Sequence, residues 1–185
     1  MLKSYSKYAL LLSVLLLNLN FAFSQDKNEE QLQIVGGKAI KIEQAPWQIA
    51  LFRYNEQEQR ISTQFCGGTI IDEYWIISAA HCLKGVDAEQ IRVVASTSTL
   101  TGAAKDGQIM EVAEIIVHEN YEEDPINNDI ALIRLQNPID LSTPKAKAVP
   151  MITKNDENNG LTNPGIVGLI SGWGTLTYHG NAPDS

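Results

Sequence analysis

From Ile34 onward the hydrophobic residues fall into short runs separated by polar turns. The runs are Trp47–Phe52, Gln64–Ile71, Trp75–Ser78, Ile91–Ala95, Met110–His118 and Ile130–Leu135. Several are rich in β-branched residues, and none sustains the period of a long amphipathic helix. Between them sit turn signals: Gly36-Gly37, Asp106-Gly107, Asn127-Asn128 and Asn137-Pro138. Many short strands at this spacing predict a β-barrel or β-sandwich. The stretch Asp140 to Pro164 contains Pro144, Pro150 and Pro164 among many polar residues. It reads as a connection between two halves. One more apolar run, Ile166–Ile170, and the segment Ser171-Gly172-Trp173-Gly174 follow it. No internal repeat or low-complexity tract interrupts this order.

The N-terminus departs from the pattern. Lys3 and Lys7 precede an apolar core, Ala9 to Leu17, and Ala22-Phe23-Ser24 supplies small residues at the positions a signal peptidase reads. Residues 1–24 are therefore read as a cleaved secretory signal. A membrane anchor is the competing reading. The apolar core is short for a span, and Asn18 and Asn20 break its end. Residues 25–33 are polar. The expected location is outside the cytoplasm: extracellular, or periplasmic in a bacterium, with no membrane association after signal cleavage.

The chain has 185 residues, 44% of them hydrophobic, which suits one globular unit or one small domain plus part of another. Its formal charge is -8, and residues 1–33 hold equal numbers of each sign, so the remainder carries all of it. No basic block is present, which argues against nucleic acid as a partner.

The candidate chemistry lies in two places. Ser78-Ala79-Ala80-His81-Cys82 ends one apolar run, and Asn128-Asp129-Ile130-Ala131-Leu132 opens another. A histidine that shuttles a proton needs a carboxylate to fix its tautomer and stabilise its charged form. His81 and Asp129 are the candidate pair. No residue stands out as a nucleophile. The two cysteines, Cys66 and Cys82, favour a disulfide in an exported chain. The alternative is metal ligation, but two thiols beside His81 make a poor zinc set without a fourth ligand.

These motifs, taken in order, resemble a known family. Ile34-Val35-Gly36-Gly37, Pro46-Trp47-Gln48, Phe65-Cys66-Gly67-Gly68-Thr69-Ile70-Ile71, Trp75-Ile76-Ile77-Ser78-Ala79-Ala80-His81-Cys82, Asn128-Asp129-Ile130-Ala131-Leu132 and Ser171-Gly172-Trp173-Gly174 resemble the landmarks of trypsin-like (chymotrypsin-fold) serine proteases. The resemblance implies an all-β double barrel. The N-terminal six-stranded barrel would be nearly complete over residues 34–139. Residues 140–185 would form a linker and the beginning of a second barrel. It also implies serine-type endopeptidase chemistry by acyl transfer, with His81 as general base and Asp129 orienting it. Protein or peptide substrates are the implied partners, and no cofactor is implied. The Cys66–Cys82 bond would tie the strand before the histidine to the turn that holds it. His118 and His179 lack such a context and read as surface or loop residues.

In this family a cut before the Ile-Val-Gly-Gly run frees an α-amino group that inserts into the protein and pairs with an aspartate beside the nucleophile, completing the oxyanion hole. Residues 25–33 would then be an activation peptide, with Ile34 the new N-terminus. Gln33 stands where Arg or Lys is usual. This implies a different activating protease, or a chain that is never activated.

Three further departures shape the expectation. The family's nucleophile lies in a Gly-Asp-Ser-Gly-Gly segment well downstream of Gly-Trp-Gly. Asp184-Ser185 has no glycines around it. Ser185 is therefore not read as the nucleophile. The oxyanion amides, the partner of the Ile34 amine and the specificity pocket belong to the same missing region. The expectation is a fragment of a longer protease, inactive by itself. The alternatives are a secreted non-catalytic homologue acting as a protein-binding module and, more weakly, a disulfide-stabilised β-domain without a ligand. Gly168 occupies a place where the family often has a cysteine. Finally, Thr97 to Gln108 offers only Asp106 as a carboxylate, whereas calcium takes about six to eight oxygens. No metal is expected.

Overall fold

The structure is a computed structural model and describes residues 37–174. The expected signal and activation peptides, Ile34, His179 and Asp184-Ser185 lie outside the described residues. Each of the six runs between Trp47 and Leu135 overlaps one strand of a closed antiparallel barrel, overrunning it by no more than one residue. The strands are β1 (Gln48–Asn55), β2 (Arg60–Ile70), β3 (Trp75–Ser78), β4 (Ile91–Ala95), β5 (Gln108–Val117) and β8 (Ala131–Leu135). They close in the order β1-β2-β3-β8-β5-β4. Closure gives every strand two neighbours and so leaves no free edge. The barrel is thus complete where the sequence predicted one nearly so.

Alternation along the strands fills the interior. Ala131, Ile133 and Leu135 of β8, Ile91, Val93 and Ala95 of β4, and Ile49 and Leu51 of β1 belong to one cluster with Ile70, Ile76 and Leu83. Ile49, Leu51, Ile76 and Ile133 have no solvent exposure. Burying a side chain of this size stabilises the fold by about 1.5–3 kcal/mol before entropy is counted. β1 does not alternate between buried and exposed residues. Its other face, Ala50 and Phe52, packs with Val94 and Ala103 beneath Leu100 and Trp173. A strand covered on both faces reads as a continuous apolar run, as Trp47–Phe52 does.

β2 begins at Arg60, before the predicted Gln64, because Tyr54 pairs with Ile61 and Asn55 with Arg60. The polar Asn55–Arg60 pair joins the ladder through the backbone, which hydrophobicity does not report. The predicted connection after residue 139 is partly fastened to the barrel. Ala146 is buried, Lys147 N–H donates to Pro46 O at 3.0 Å, and Val149 N–H donates to Ile70 O at 2.9 Å. A short helix, Lys154–Asn158, follows, capped by Thr153 and Asp156.

The apolar run Ile166–Ile170 does not form the expected first strand of a second barrel. Val167 is 95% exposed and Ile170 74%. Among the described residues no strand pairs with it; Ile166 N–H donates only to Asn163 O at 3.2 Å, closing a turn, and an isolated strand has no ladder to hold it. The described part of the second barrel goes no further than this.

Close packing makes one glycine diagnostic. A Cβ on Gly68 would lie 2.7 Å from Ile77 O and 3.0 Å from side-chain carbons of Ile49 and Ile76. Gly168 faces open space. Gly68→Ala is expected to destabilise the chain by about 1–3 kcal/mol in urea unfolding, and Gly168→Ala to change it by less than about 0.5 kcal/mol. Equal effects of the two substitutions would contradict this packing.

Candidate functional site

His81 and Asp129 are distant in sequence, but strand pairing brings them together. β3 and β8 are antiparallel neighbours in which Ser78 faces Ala131. The chain leaves β3 just after Ser78 and enters β8 just before Ala131. Both candidates therefore emerge at the same end of the barrel.

Local structure then aims each side chain. Ser78 is buried and its hydroxyl donates to Gly67 O at 2.8 Å, fastening β3 to β2. A single helical turn, Ala80–Leu83, follows. Ala80 and Leu83 are buried, and Cys82 is bonded to Cys66 on β2 with their Cα atoms 6.3 Å apart. The disulfide spans 16 residues, which corresponds to about 3 kcal/mol in the chain-entropy account. These anchors leave His81 on the exposed side of the turn. On the other side, Asn128 has φ of 52°, in the left-handed region that asparagine tolerates better than most residues. Its side-chain amide donates to Asn120 O at 2.8 Å, and its carbonyl accepts from Ile130 N–H at 2.8 Å. This kink presents Asp129 to the histidine.

The carboxylate grips one residue with both oxygens. His81 backbone N–H donates to Oδ1 at 2.8 Å, and ring Nδ1 lies 2.7 Å from Oδ2. The backbone hydrogen bond from His81, followed by the ring hydrogen bond, holds the Asp129 carboxyl below the usual aspartate value. An ionised carboxylate can only accept, so Nδ1 carries a proton, and in the neutral ring Nε2 is the nitrogen that keeps the lone pair. Nε2 lies 3.4 Å from Cys82 Sγ. Among the described residues no serine hydroxyl hydrogen-bonds to it. The His81 side chain is 56% exposed and that of Asp129 25%.

Residues without a sequence signal flank this pair. Lys84 lies 3.3 Å from Glu123 and 5.4 Å from the centroid of the Tyr121 ring. Desolvation, and then the charges of Asp129 and Glu123, raise the Tyr121 hydroxyl pKa. Glu123 belongs to a small hairpin of β6 (Glu122–Glu123) and β7 (Ile126–Asn127), whose turn contains a cis Asp124–Pro125 bond. His118, read as a surface residue, is exposed, and its Nδ1 accepts from Asn120 N–H at 3.1 Å.

A second meeting of motifs lies on β1. Ser171 donates to the nearly buried Gln48 Oε1 at 2.8 Å and accepts from Trp47 Nε1 at 3.3 Å. Trp173 Nε1 donates to Ser98 O at 2.9 Å. Pro46-Trp47-Gln48 and Ser171-Gly172-Trp173-Gly174 therefore form one packed seam. Among the described residues no helix is long and apolar enough to cross a membrane.

The sequence model of the family described as Trypsin matches residues 34–185. The chain belongs to the trypsin family. It is 36% identical over 178 residues to trypsin zeta of Drosophila melanogaster, covering 93% of this chain and 60% of that protein. It is 34% identical over 149 residues to complement C1s subcomponent of Bos taurus, covering 77% of this chain and 20% of that protein. A solved scabies mite inactivated protease paralogue, S-D1, is similar with a TM-score of 0.52 at 25% identity, covering 63% of this chain and 45% of that one. The chain thus spans about 60% of the length of the trypsin zeta it matches. The family's chemistry is peptide-bond hydrolysis, and its substrates are proteins.

The depressed Asp129 carboxyl has a stability consequence with a definite sign. A group with a lowered folded pKa contributes stability once pH exceeds its unfolded value, about 3.9 for aspartate. That contribution is lost as pH falls through the folded value. The stability difference between the wild-type chain and Asp129→Asn should therefore shrink as pH is lowered from 5 toward 2. Urea unfolding at each pH measures it, and a carboxyl-carbon NMR titration should place Asp129 below the ordinary aspartate value. A difference that is constant or grows on acidification would contradict the grip on His81.

Proposed function

We propose that this chain carries the general-base half of a secreted serine-type endopeptidase that works by acyl transfer. One observation supports the reading above all: Asp129 holds His81 through both oxygens, with the Nδ1 contact at 2.7 Å. The ring then presents a basic Nε2 to the exposed side of the barrel. A serine hydroxyl placed there would lose its proton to Nε2 as it attacks the peptide carbonyl. The imidazolium, stabilised by Asp129, would return the proton to the leaving amine. Water would then cleave the acyl ester by the same route. The serine, the oxyanion amides and the specificity pocket would come from chain outside the described residues. Residues 1–24 would serve as the signal and 25–33 as the activation peptide. Cleavage after Gln33 by a separate protease would free the Ile34 amine.

A second reading has one observation in its favour. A solved structure that resembles this chain is described as an inactivated protease paralogue. In that case the scaffold would bind proteins without cutting them.

A chimera separates the two. Residues 1–174 are joined to the C-terminal part of trypsin zeta, cut before Ile34, and offered a fluorophosphonate that labels activated serines. The hydrolase reading expects labelling of the chimera that His81→Ala abolishes. Asp129→Asn should lower turnover by about 10⁴-fold, as the equivalent change does in chymotrypsin-like enzymes. The unextended 185-residue chain should stay unlabelled. A folded chimera that fails to label, or labels equally without His81, would favour the binding module.

A further inference from the structure

The ligating atoms of Cys66, Cys82 and His81 all lie within 4.8 Å of one another, the set of this kind found among the described residues. In the oxidised chain the two sulfurs are bonded to each other and offer no thiolate. We propose that reduction of Cys66–Cys82 converts this turn into a zinc site, ligated by Cys66 Sγ, Cys82 Sγ and His81 Nε2 with water in the fourth position.

Reduction consumes two thiol equivalents of a small-molecule reductant. The S–S bond breaks, each cysteine gains an electron and a proton, and the reductant leaves as its own disulfide. Zinc then displaces both thiol protons to solvent as the two Zn–S bonds form. The distances suit this chemistry. With Zn–S near 2.3 Å and Zn–N near 2.0–2.1 Å, tetrahedral ligand atoms stand roughly 3.5–3.8 Å apart. Nε2 is already 3.4 Å from Cys82 Sγ. The Cα atoms of the cysteines are 6.3 Å apart, so side-chain rotation alone can part the sulfurs.

The lack of a fourth protein ligand argues against a closed structural zinc site. Open sites use three protein ligands, including two cysteines and one histidine, and hold water in the fourth position. The structure adds what the sequence did not display, the orientation of the third ligand. Asp129 accepts a hydrogen bond from Nδ1–H and so leaves the lone pair of the neutral ring on Nε2. This is the carboxylate–histidine arrangement that orients metal-ligating imidazoles. The exposed side chain of His81 gives the ion a path from solvent. Cys66 and Cys82 are the only cysteines in the chain, so no other thiols compete.

Nε2 cannot ligate zinc and accept a proton at once. In the endopeptidase proposed above the loaded form would therefore be switched off. That consequence rests on the assigned role of His81, whereas the binding itself does not.

The test needs no activity. The 185-residue chain, oxidised or reduced with a water-soluble phosphine and desalted without oxygen, is titrated with Co²⁺ alone and then with Zn²⁺. The reduced chain should bind one equivalent of Co²⁺, with thiolate-to-cobalt absorption in the near ultraviolet and tetrahedral bands in the visible. Zn²⁺ should displace it, and the oxidised chain should show neither signal. Asp129→Asn should weaken binding about 10- to 100-fold, as loss of an orienting carboxylate does elsewhere, and His81→Ala should weaken it further. Zn²⁺ should also raise the melting midpoint of the reduced wild-type chain more than that of reduced His81→Ala. The proposal is overturned if the reduced chain shows no thiolate–cobalt absorption. It is equally overturned if His81→Ala binds as tightly, or if reduction unfolds the chain and equimolar Zn²⁺ does not restore it.

Discussion

The hydrogen bonds from His81 to Asp129 tie the two halves of the site together, and each half depends on a different part of the barrel. The histidine side is a one-turn helix held by two buried side chains and a disulfide. The aspartate side is a kink at Asn128 leading into β8. Neither side alone fixes the imidazole. The contact to the backbone N–H sets where Asp129 sits, and the contact to Nδ1 sets which nitrogen keeps its lone pair. Both the base chemistry and the metal chemistry proposed for this turn require that tautomer.

Barrel closure makes the meeting of these halves reproducible. A slip of β8 by one residue along β3 would exchange its own inward and outward faces and move Asp129 away from His81. The inward set of Ala131, Ile133 and Leu135, packed with Ile76, resists such a slip because all three would be driven to the outer face. The packing that stabilises the fold is thus the same packing that sets the register of the site. Gly68 contributes by its lack of a side chain, since β2 and β3 approach too closely there for a Cβ.

The sequence revealed the barrel strands because each carries an apolar inward face, and β1 because it is covered on both sides. Polar extensions such as Arg60–Thr63 were not legible, since backbone pairing recruits them whatever their side chains. The β6–β7 hairpin is too short and too exposed to carry a periodic signal, and Lys84, Tyr121 and Glu123 meet only through it. His81, Asp129 and the cysteine pair were legible through their motifs. The two-point contact was not, because it depends on where Asn128 bends the chain. Ile166–Ile170 had the composition of a strand but lies exposed, which shows the limit of composition: a strand is defined by its partner.

The exposure of His81 bears on how this half-site would work. Its orientation is fixed by hydrogen bonds and not by burial, and more than half of its side chain meets solvent. Water screens the interaction of an exposed ion pair strongly, and the same pair becomes several-fold stronger when a neighbouring surface excludes water. The aspartate is better sheltered than the ring. The partly formed site therefore holds geometry in advance and leaves much of the electrostatic stabilisation of an imidazolium to be gained when something covers the ring. For acyl transfer, that cover would be the surface bearing the nucleophile together with the bound peptide. In the reduced chain, zinc would meet the same preset imidazole without needing that cover, because its bond to Nε2 is short and direct. One local geometry would thus serve both proposed chemistries, separated by the state of the Cys66–Cys82 bond.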